Sequence, residues 1–448
     1  SNDVVNRLQD MSRASLLNNF HSIPTDCPHR EKQGWTADTY MTDQAAIYNF
    51  DMAAFYAKWV EDLAGTQDSA GGLCTVAPST GYDQSISTVW PAAIVYVPWD
   101  LLAYYGDRRV VERHYETMMR FAESGLLRQR DGKPEIIGEV LGDWVSPHMT
   151  LSDTLMSYSM APPEGLTLYG TASHYRVVRN LAEVARFLGK HDDAVRLDAW
   201  ADRIARRFNE EFFDAASGIY HGENPTPYRQ AANVVPLEYG LVPEADSARV
   251  LGSLLRDLDG TRDRIGTGFV GTLSMMELMP RIDPERAYRL ATQPDYPGWG
   301  FMALSGATTM WETWDGSASR NHPPFCLISA YFYKYLAGIR CDRAYPGFER
   351  FTVDPSIVGD LTFVEAWHDS PYGRIRSEWR RDGSRLTMKV SVPVGTTATI
   401  GVPTRDAAGV AESGRPVSGT DGVKFLRAAG GKAFYEVGSG SYVFTSRL

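Results

Sequence analysis

The sequence predicts a mainly α fold, a toroid of paired helices, followed by a C-terminal antiparallel β-sandwich. Over the first three quarters of the 448 residues, apolar side chains recur at helical spacing in one segment after another. Beyond residue 341 they alternate at strand spacing. Between the helices lie longer loops rich in Gly, Pro and Trp, such as 142–149 and 293–302. Paired helices with such loops gathered between them describe a toroid better than an α/β sheet. The division expected is 1–340 for the helical domain and 341–448 for the sandwich, in keeping with about 150 residues or more per domain.

Helical periodicity appears at 3–20, 39–64 and 108–124. The clearest hairpin follows: Tyr175, Val178, Leu181, Ala182, Ala185 and Leu188 share one face, and Gly189 stops the helix. After a short turn, Ala194, Leu197, Trp200, Ala201, Ile204 and Phe208 repeat the pattern. Further segments run over 244–258, 270–280 and 325–338. No repeat of 20–50 residues is detectable, which excludes a consensus solenoid. In the last quarter, Leu386, Met388, Val390 and Val392 alternate with Thr387, Lys389 and Ser391, the pattern of a half-buried antiparallel strand. Runs at 348–355, 360–369, 373–383, 397–403 and 432–446 bring the expectation to six or seven strands.

Hydrophobic residues at 43% and charged residues at 22% exclude disorder and fibre. A net charge of −10 without a local basic run argues against nucleic acid as a partner. The most apolar stretch, Val89 to Tyr105, is broken by Pro91, Pro98 and Asp100, which argues against a membrane span. Four cysteines without a CxxC pair suggest neither a disulfide framework nor zinc. They fit a reduced compartment, and the polar N-terminus has no signal-peptide pattern; together these favour the cytoplasm over secretion. The oligomeric state is not legible. No nucleotide motif and no GxSxG occurs, and no HExxH, so neither a cofactor nor a metal is expected. The unusual number is the aromatic content: 11 Trp, 23 Tyr and 18 Phe. Such rings line cores, and they also line sites that stack on sugars.

Three clusters carry potential chemistry. The segment 26–38 holds Asp26, His29, Arg30, Glu31, Trp35 and Asp38 on a Pro-containing loop before a helix. Taken alone this reads as a helix-start loop with solvated charges. Trp35 following a glycine amid charges is nevertheless a poor core pattern and a good platform for a hydroxylated ring. The second cluster sets Glu312 between Trp311 and Trp314, where desolvation would raise a carboxyl's pKa; Asn321-His322 follows. Asp143-Trp144 repeats the acid-next-to-indole arrangement. Carboxylates and tryptophans together on loops of a helical toroid indicate glycoside chemistry, in which one acid protonates the leaving oxygen and a second carboxylate handles water or the anomeric carbon.

The run Asp26-Cys-Pro-His-Arg-Glu-Lys-Gln-Gly-Trp35 with Asp38 resembles the signature of the α-L-rhamnosidases of glycoside hydrolase family 78. The resemblance continues in order through Trp90-Pro91, 142–144, 267–272, 296–301, 306–312, Asn321-His322 and 335–339, so it spans about residues 3–345. It implies an (α/α)6 barrel followed by a β-sandwich, and an inverting exo-acting enzyme that releases terminal α-L-rhamnose from rhamnosides. It further implies Glu31 as general acid and Glu312 as general base, with Asp26, Arg30 and Asp38 on the sugar hydroxyls. Trp35, Trp90 and Trp144 would wall the pocket against the C6 methyl of rhamnose, and His322 would contact the sugar or position the base. Asp143, Trp299 and Trp311, carried by the same motifs, complete the implied substrate-binding set. The residues leave two other readings open: a barrel glycosidase acting on a different sugar, and a catalytically silent sugar-binding protein. Inversion requires room for water, so the Glu31 and Glu312 carboxyls are expected roughly 6.5–9.5 Å apart.

Overall fold

A computed structural model describes residues 1–81, 87–130, 132–147, 158–159 and 161–448. His148 and Met149, the end of the 142–149 loop, lie outside the described residues. The helices are α1 (Asp3–Asn18), α2 (Thr36–Asn49), α3 (Ala53–Ala64), α4 (Ala93–Tyr105), α5 (Arg108–Ser124), α6 (Thr167–Phe187) and α7 (His191–Phe212). They continue with α8 (Gln230–Tyr239), α9 (Glu244–Gly260), α10 (Phe269–Ile282), α11 (Pro284–Thr292), α12 (Trp299–Leu304) and α13 (Leu327–Tyr331). Contacts run from α2 to α4, α6, α8, α10 and α13, and from α13 back to α2, so these six close an inner ring. Helices α1, α3, α5, α7, α9 and α11 pack outside it.

Apolar patterning decides which helix goes where. In α4 nearly every residue from Ala93 to Tyr104 is buried, as a helix flanked on all sides requires. In α5 only one face is buried, with Val111, Tyr115, Met118 and Ala122 on it, and the charged residues face water. The hairpin read from 171–208 is α6 and α7, joined at Gly189 in the left-handed region (φ 74°).

Some elements differ from the sequence reading. The 39–64 segment is two helices, α2 and α3, separated at Phe50–Met52 where extended backbone at Phe50 ends the first. The 325–338 segment is a 3₁₀ turn, α13 and a π-helical turn at Phe332–Leu336 rather than one regular helix. Helices α4 and α8 were not legible because each holds an internal proline, Pro98 and Pro236, which ordinarily breaks a helix. Here the surrounding ring supplies the packing that offsets the lost hydrogen bond.

The C-terminal part forms two sheets, with more and shorter strands than the six or seven read from the sequence. One is six-stranded and antiparallel, in the order 415–416, 411–412, 440–447, 385–392, 373–382, 363–370. The other has the order 423–429, 432–437, 397–403, 350–353, 339–341. It departs from a purely antiparallel sandwich at one place, where Thr397–Ile400 pairs parallel with Arg350–Val353. The chain has passed through the first sheet between those two strands, and the crossover sets the direction. Leu386, Met388, Val390 and Val392 are buried as the alternation requires. Tyr435 and Phe444 stack across the two sheets at 5.7 Å. The last helical turn ends at Leu336, and Ile339–Cys341 already pairs with Arg350–Val353, so residue 340 falls inside a strand of the second sheet. No helix among the described residues is long and apolar enough to cross a membrane.

Sandwich and barrel are joined by buried polar contacts. Trp379 Nε1 donates to the Leu336 carbonyl (2.8 Å), Ser377 Oγ to Ala337 (2.7 Å), and Tyr48 OH to Ile339 (2.7 Å). His368 packs among Tyr48, Phe348 and Tyr104. Burial pushes its pKa down to about 4 from an ordinary 6.5, so the folded protein refuses a proton that the unfolded chain accepts. The unfolded state therefore binds more protons between these values, and stability rises with pH across that window. Acidification from pH 7 toward pH 4 is expected to cost roughly 3 kcal/mol at this site. Urea unfolding of wild type and His368→Phe at both pH values checks it: the variant should lose that part of the pH dependence.

Candidate active site

Because inner and outer helices alternate in direction, the loops that enter the inner helices gather at one end of the toroid. They carry Asp26–Trp35 before α2, Trp90 before α4, Asp143-Trp144 before α6 and Trp311–His322 before α13. The loop before α2 is closed on itself. Gln33 N donates to Asp26 Oδ1 (2.7 Å), Asp26 N donates to the Gln33 carbonyl (2.9 Å), and Glu31 N donates to Cys27 Sγ (3.3 Å). Its exit is pinned by Ala77 N on the Gly34 carbonyl (2.9 Å) and Thr36 N on Thr75 (2.9 Å). A side chain at Gly34 would put Cβ 2.0 Å from the Ala77 carbonyl oxygen, so only glycine allows this approach.

At the loop's tip, one guanidinium holds two carboxylates. Arg30 Nη2 donates to Glu31 Oε1 (3.2 Å) and to Glu312 Oε2 (3.0 Å). Both distances end on the same nitrogen, so these two oxygens lie within about 6 Å of each other. The sequence expectation placed the carboxyl groups roughly 6.5–9.5 Å apart; the two oxygens held by Arg30 lie closer than that range, with the guanidinium between them. Trp35 Nε1 donates to Glu31 Oε2 (2.8 Å), which fixes the carboxyl plane. The Glu31 side chain keeps 28% of its surface, whereas Glu312 keeps 8%. Glu312 is held by its own loop: Ser319 N donates to Oε2 (3.1 Å) and Glu312 N to the Ser319 carbonyl (2.8 Å).

Behind this pair lies a buried acidic layer. His322 Nε2 sits 3.1 Å from Asp38 Oδ1. Burial raises the pKa of Asp38, opposed by His322. Burial alone would keep His322 neutral, but Asp38 and the adjacent Cys27 carry it well above its ordinary value. Asp26 is pushed up to about 9, first by burial. Burial also acts to raise the Cys27 thiol, yet His322 and Asp26 beside it bring it down to about 6. Cys27 had no role in the sequence reading; its signal was its place between an acid and a proline in the densest charged loop.

Several of the implied sugar contacts also tie the structure together. Asp26 is fully buried and clasps the loop through Gln33 N, and Asp38 is buried against His322. Asp143 is also fully buried; it accepts Gly268 N (2.7 Å) and Gly271 N (2.8 Å) at the start of α10. The charge-favouring helix start explains the attraction, although burial still lifts its pKa to about 7. Trp299 is core: its Nε1 donates to the Phe325 carbonyl (3.0 Å), and it meets Trp314 edge-on at 5.1 Å. Trp311 is nearly buried, packed under Arg320 (5.3 Å). Trp90 is buried and meets the half-buried Trp144 edge-on at 6.5 Å. Trp144 is tied toward the centre through Phe269 N on its carbonyl (3.0 Å), and Phe269 stacks on His322 at 6.0 Å. A motif shared by position thus marks structural clamps as readily as contacts.

A helical toroid with two carboxylates facing each other on its entry loops is the architecture of a six-hairpin glycosidase domain. Residues 1–336 match the bacterial α-L-rhamnosidase six-hairpin glycosidase domain, and residues 338–415 match the bacterial α-L-rhamnosidase C-terminal domain. The chain belongs to the bacterial α-L-rhamnosidase family. It is 30% identical over 462 residues to an α-L-rhamnosidase of Streptomyces avermitilis, covering 99% of this chain and 41% of that protein. The structure of an α-L-rhamnosidase from Dictyoglumus thermophilum superposes with a TM-score of 0.88 at 30% identity, covering 99% of this chain and 49% of that one. The Streptomyces avermitilis α-L-rhamnosidase complexed with L-rhamnose superposes with a TM-score of 0.87 at 28% identity, covering 99% and 41%. The chain spans less than half the length of these proteins.

The Asp143 clamp has a measurable consequence. Asp143→Ala leaves two buried N–H groups of α10 without an acceptor and is expected to cost roughly 2–4 kcal/mol. Chemical denaturation measures the loss, and amide exchange at Gly268 and Gly271 should accelerate selectively.

Proposed function

We propose that this chain hydrolyses terminal α-L-rhamnosides with inversion of configuration, Glu31 acting as general acid and Glu312 as general base. The single observation that carries the reading is the Arg30 guanidinium shared by Glu31 and Glu312 at 3.2 and 3.0 Å, which puts two carboxylates on one site. Membership of the α-L-rhamnosidase family and likeness to a relative complexed with L-rhamnose support the choice of sugar.

Glu31 gives its proton to the glycosidic oxygen as the bond from that oxygen to C1 breaks. A water attacks C1 from the opposite face and passes a proton to Glu312, leaving β-L-rhamnose and the free alcohol. Arg30 occupies the space between the carboxylates, so an entering sugar displaces it from Glu31. Trp35 then keeps the Glu31 carboxyl aimed, and the Ser319 N–H keeps Glu312 aimed from its nearly buried position.

Two measurements follow. Proton NMR of an aryl α-L-rhamnoside during turnover should register the β anomer first; initial α-rhamnose excludes inversion, and turnover of other glycosides with none on rhamnosides excludes the sugar. Glu31→Gln should lower kcat by 100-fold or more, at about the general-acid scale, on alkyl or flavonoid rhamnosides. It should lower kcat far less on substrates with a good leaving group. Equal losses on both would remove Glu31 as the acid.

A further inference from the structure

We propose that the cavity at the other end of the inner ring, between the C-terminal halves of the inner helices and the strand that leads into the sandwich, is a second ligand site, one for a single neutral sugar ring. Its volume is about 340 Å³, at the small end of the roughly 300–1,000 Å³ of ligand pockets, which is room for one ring rather than a chain. Its wall sets aromatic rings such as Tyr40, Trp99 and Tyr335 beside aliphatic Leu273 and Met276 and the amide of Asn180.

The ionic groups of this wall are already spent on one another. Arg176 pairs with Glu238, Lys334 with Glu277 and Arg343 with Asp100. Gln44 bridges two of these pairs, donating Nε2 to Asp100 (3.0 Å) and accepting Lys334 Nζ on Oε1 (3.0 Å). Burial, and then Asp100 beside it, push Asp43 well above the carboxylate range, so it brings a proton rather than a charge. A charged ligand would have to break one of the pairs and leave a buried partner unmatched, which is costly. What stays unspent is neutral. The Asn180 amide has no hydrogen bond among the described residues, and Trp99 Nε1 and Tyr331 OH are buried without one. Neutral polar groups beside aromatic and aliphatic surface suit a ring with hydroxyls on its edge and an apolar face. With its carboxylates paired or protonated, the site holds a sugar without hydrolysing it. The neutral sugar at hand is the L-rhamnose that the proposed reaction releases; the choice of that sugar rests on the rhamnosidase reading, and the cavity does not.

Indole N–H resonances of the ¹⁵N-labelled protein read the two ends separately. The Trp99 peak, identified by its loss in Trp99→Phe, reports the cavity; the Trp35 peak, whose N–H is bonded to Glu31, reports the rim. Titration with L-rhamnose should move the Trp99 peak saturably. Asn180→Leu should weaken that response about 10-fold or more, with kcat and KM within about twofold of wild type. D-glucuronate, a ring of similar size with a charge, should act on Trp99 at least about 10-fold more weakly than L-rhamnose. A Trp35 peak that moves while Trp99 stays still overturns the cavity site and leaves the rhamnosidase reading standing; the reverse result spares the site and counts against that reading. Equal response to glucuronate overturns the neutral class. An unchanged Trp99 response in folded Asn180→Leu also overturns the site, and the wild-type titration decides if that variant does not fold.

Discussion

Arg30 meets Glu312 across 282 positions of chain, and that contact exists only because the ring of inner helices closes. An α/α toroid has no sheet to hold its ends together; its last inner helix must pack on its first. Here α13 returns to α2, and the seam is sewn by polar groups. Asn49 Nδ2 donates to Ser329 Oγ (2.8 Å), Ser329 Oγ to Gln9 Oε1 (2.7 Å), and Met310 N to Ser15 Oγ (2.7 Å). Asn19 reaches Asn321 (3.2 Å). Each bond is modest in net worth, but buried partners left unmatched would be costly, so the seam tolerates one register. That register sets Glu312 opposite Glu31 and His322 beside Asp26.

The closed seam also explains why acids that look like sugar contacts are buried. A loop that must carry an arginine and a glutamate to the mouth of the barrel needs internal ties. At this position those ties are an aspartate on a backbone N–H and a cysteine sulfur on another. Burial of Asp26, Asp38 and Asp143 is then part of building the rim, and Glu31, Arg30 and the indole of Trp35 are what the rim presents.

The fold was legible where one residue decides one thing. Gly189 ends α6, the alternation at 386–392 fixes a strand, and the amphipathic faces of α6 and α7 name themselves. It was illegible where tertiary packing overrides a local rule: Pro98 and Pro236 sit inside α4 and α8 because inner helices are supported on every side. Of the candidate site, Glu31, Arg30, Glu312 and Trp35 come together at one place, a pairing of two distant clusters that only the family resemblance implied. Asp143 and Trp299 do not join them, since a sequence records that an acid or an indole is present and not which way the backbone turns it. Cys27 escaped notice because its partner, His322, is near only in space.

A cavity does not by itself mark the working end of this molecule. A cavity of about 340 Å³ opens at the other end of the inner ring, lined by charged residues that include Asp100, Arg176, Glu238, Glu277, Lys334 and Arg343. There the charges cancel in pairs: Arg176 with Glu238 (3.2 Å), Lys334 with Glu277 (2.5 Å) and Arg343 with Asp100 (2.7 Å). Asp43, facing Asp100, is pushed well above the carboxylate range by burial and then by that neighbour, so it adds little negative charge. Paired charges of this kind hold a polar core together and have nothing left for a substrate. At the entry-loop end, two carboxylates share one guanidinium, and a single cation does not neutralise both. The imbalance of charge, rather than the volume of empty space, sets the entry-loop end apart from this paired polar core.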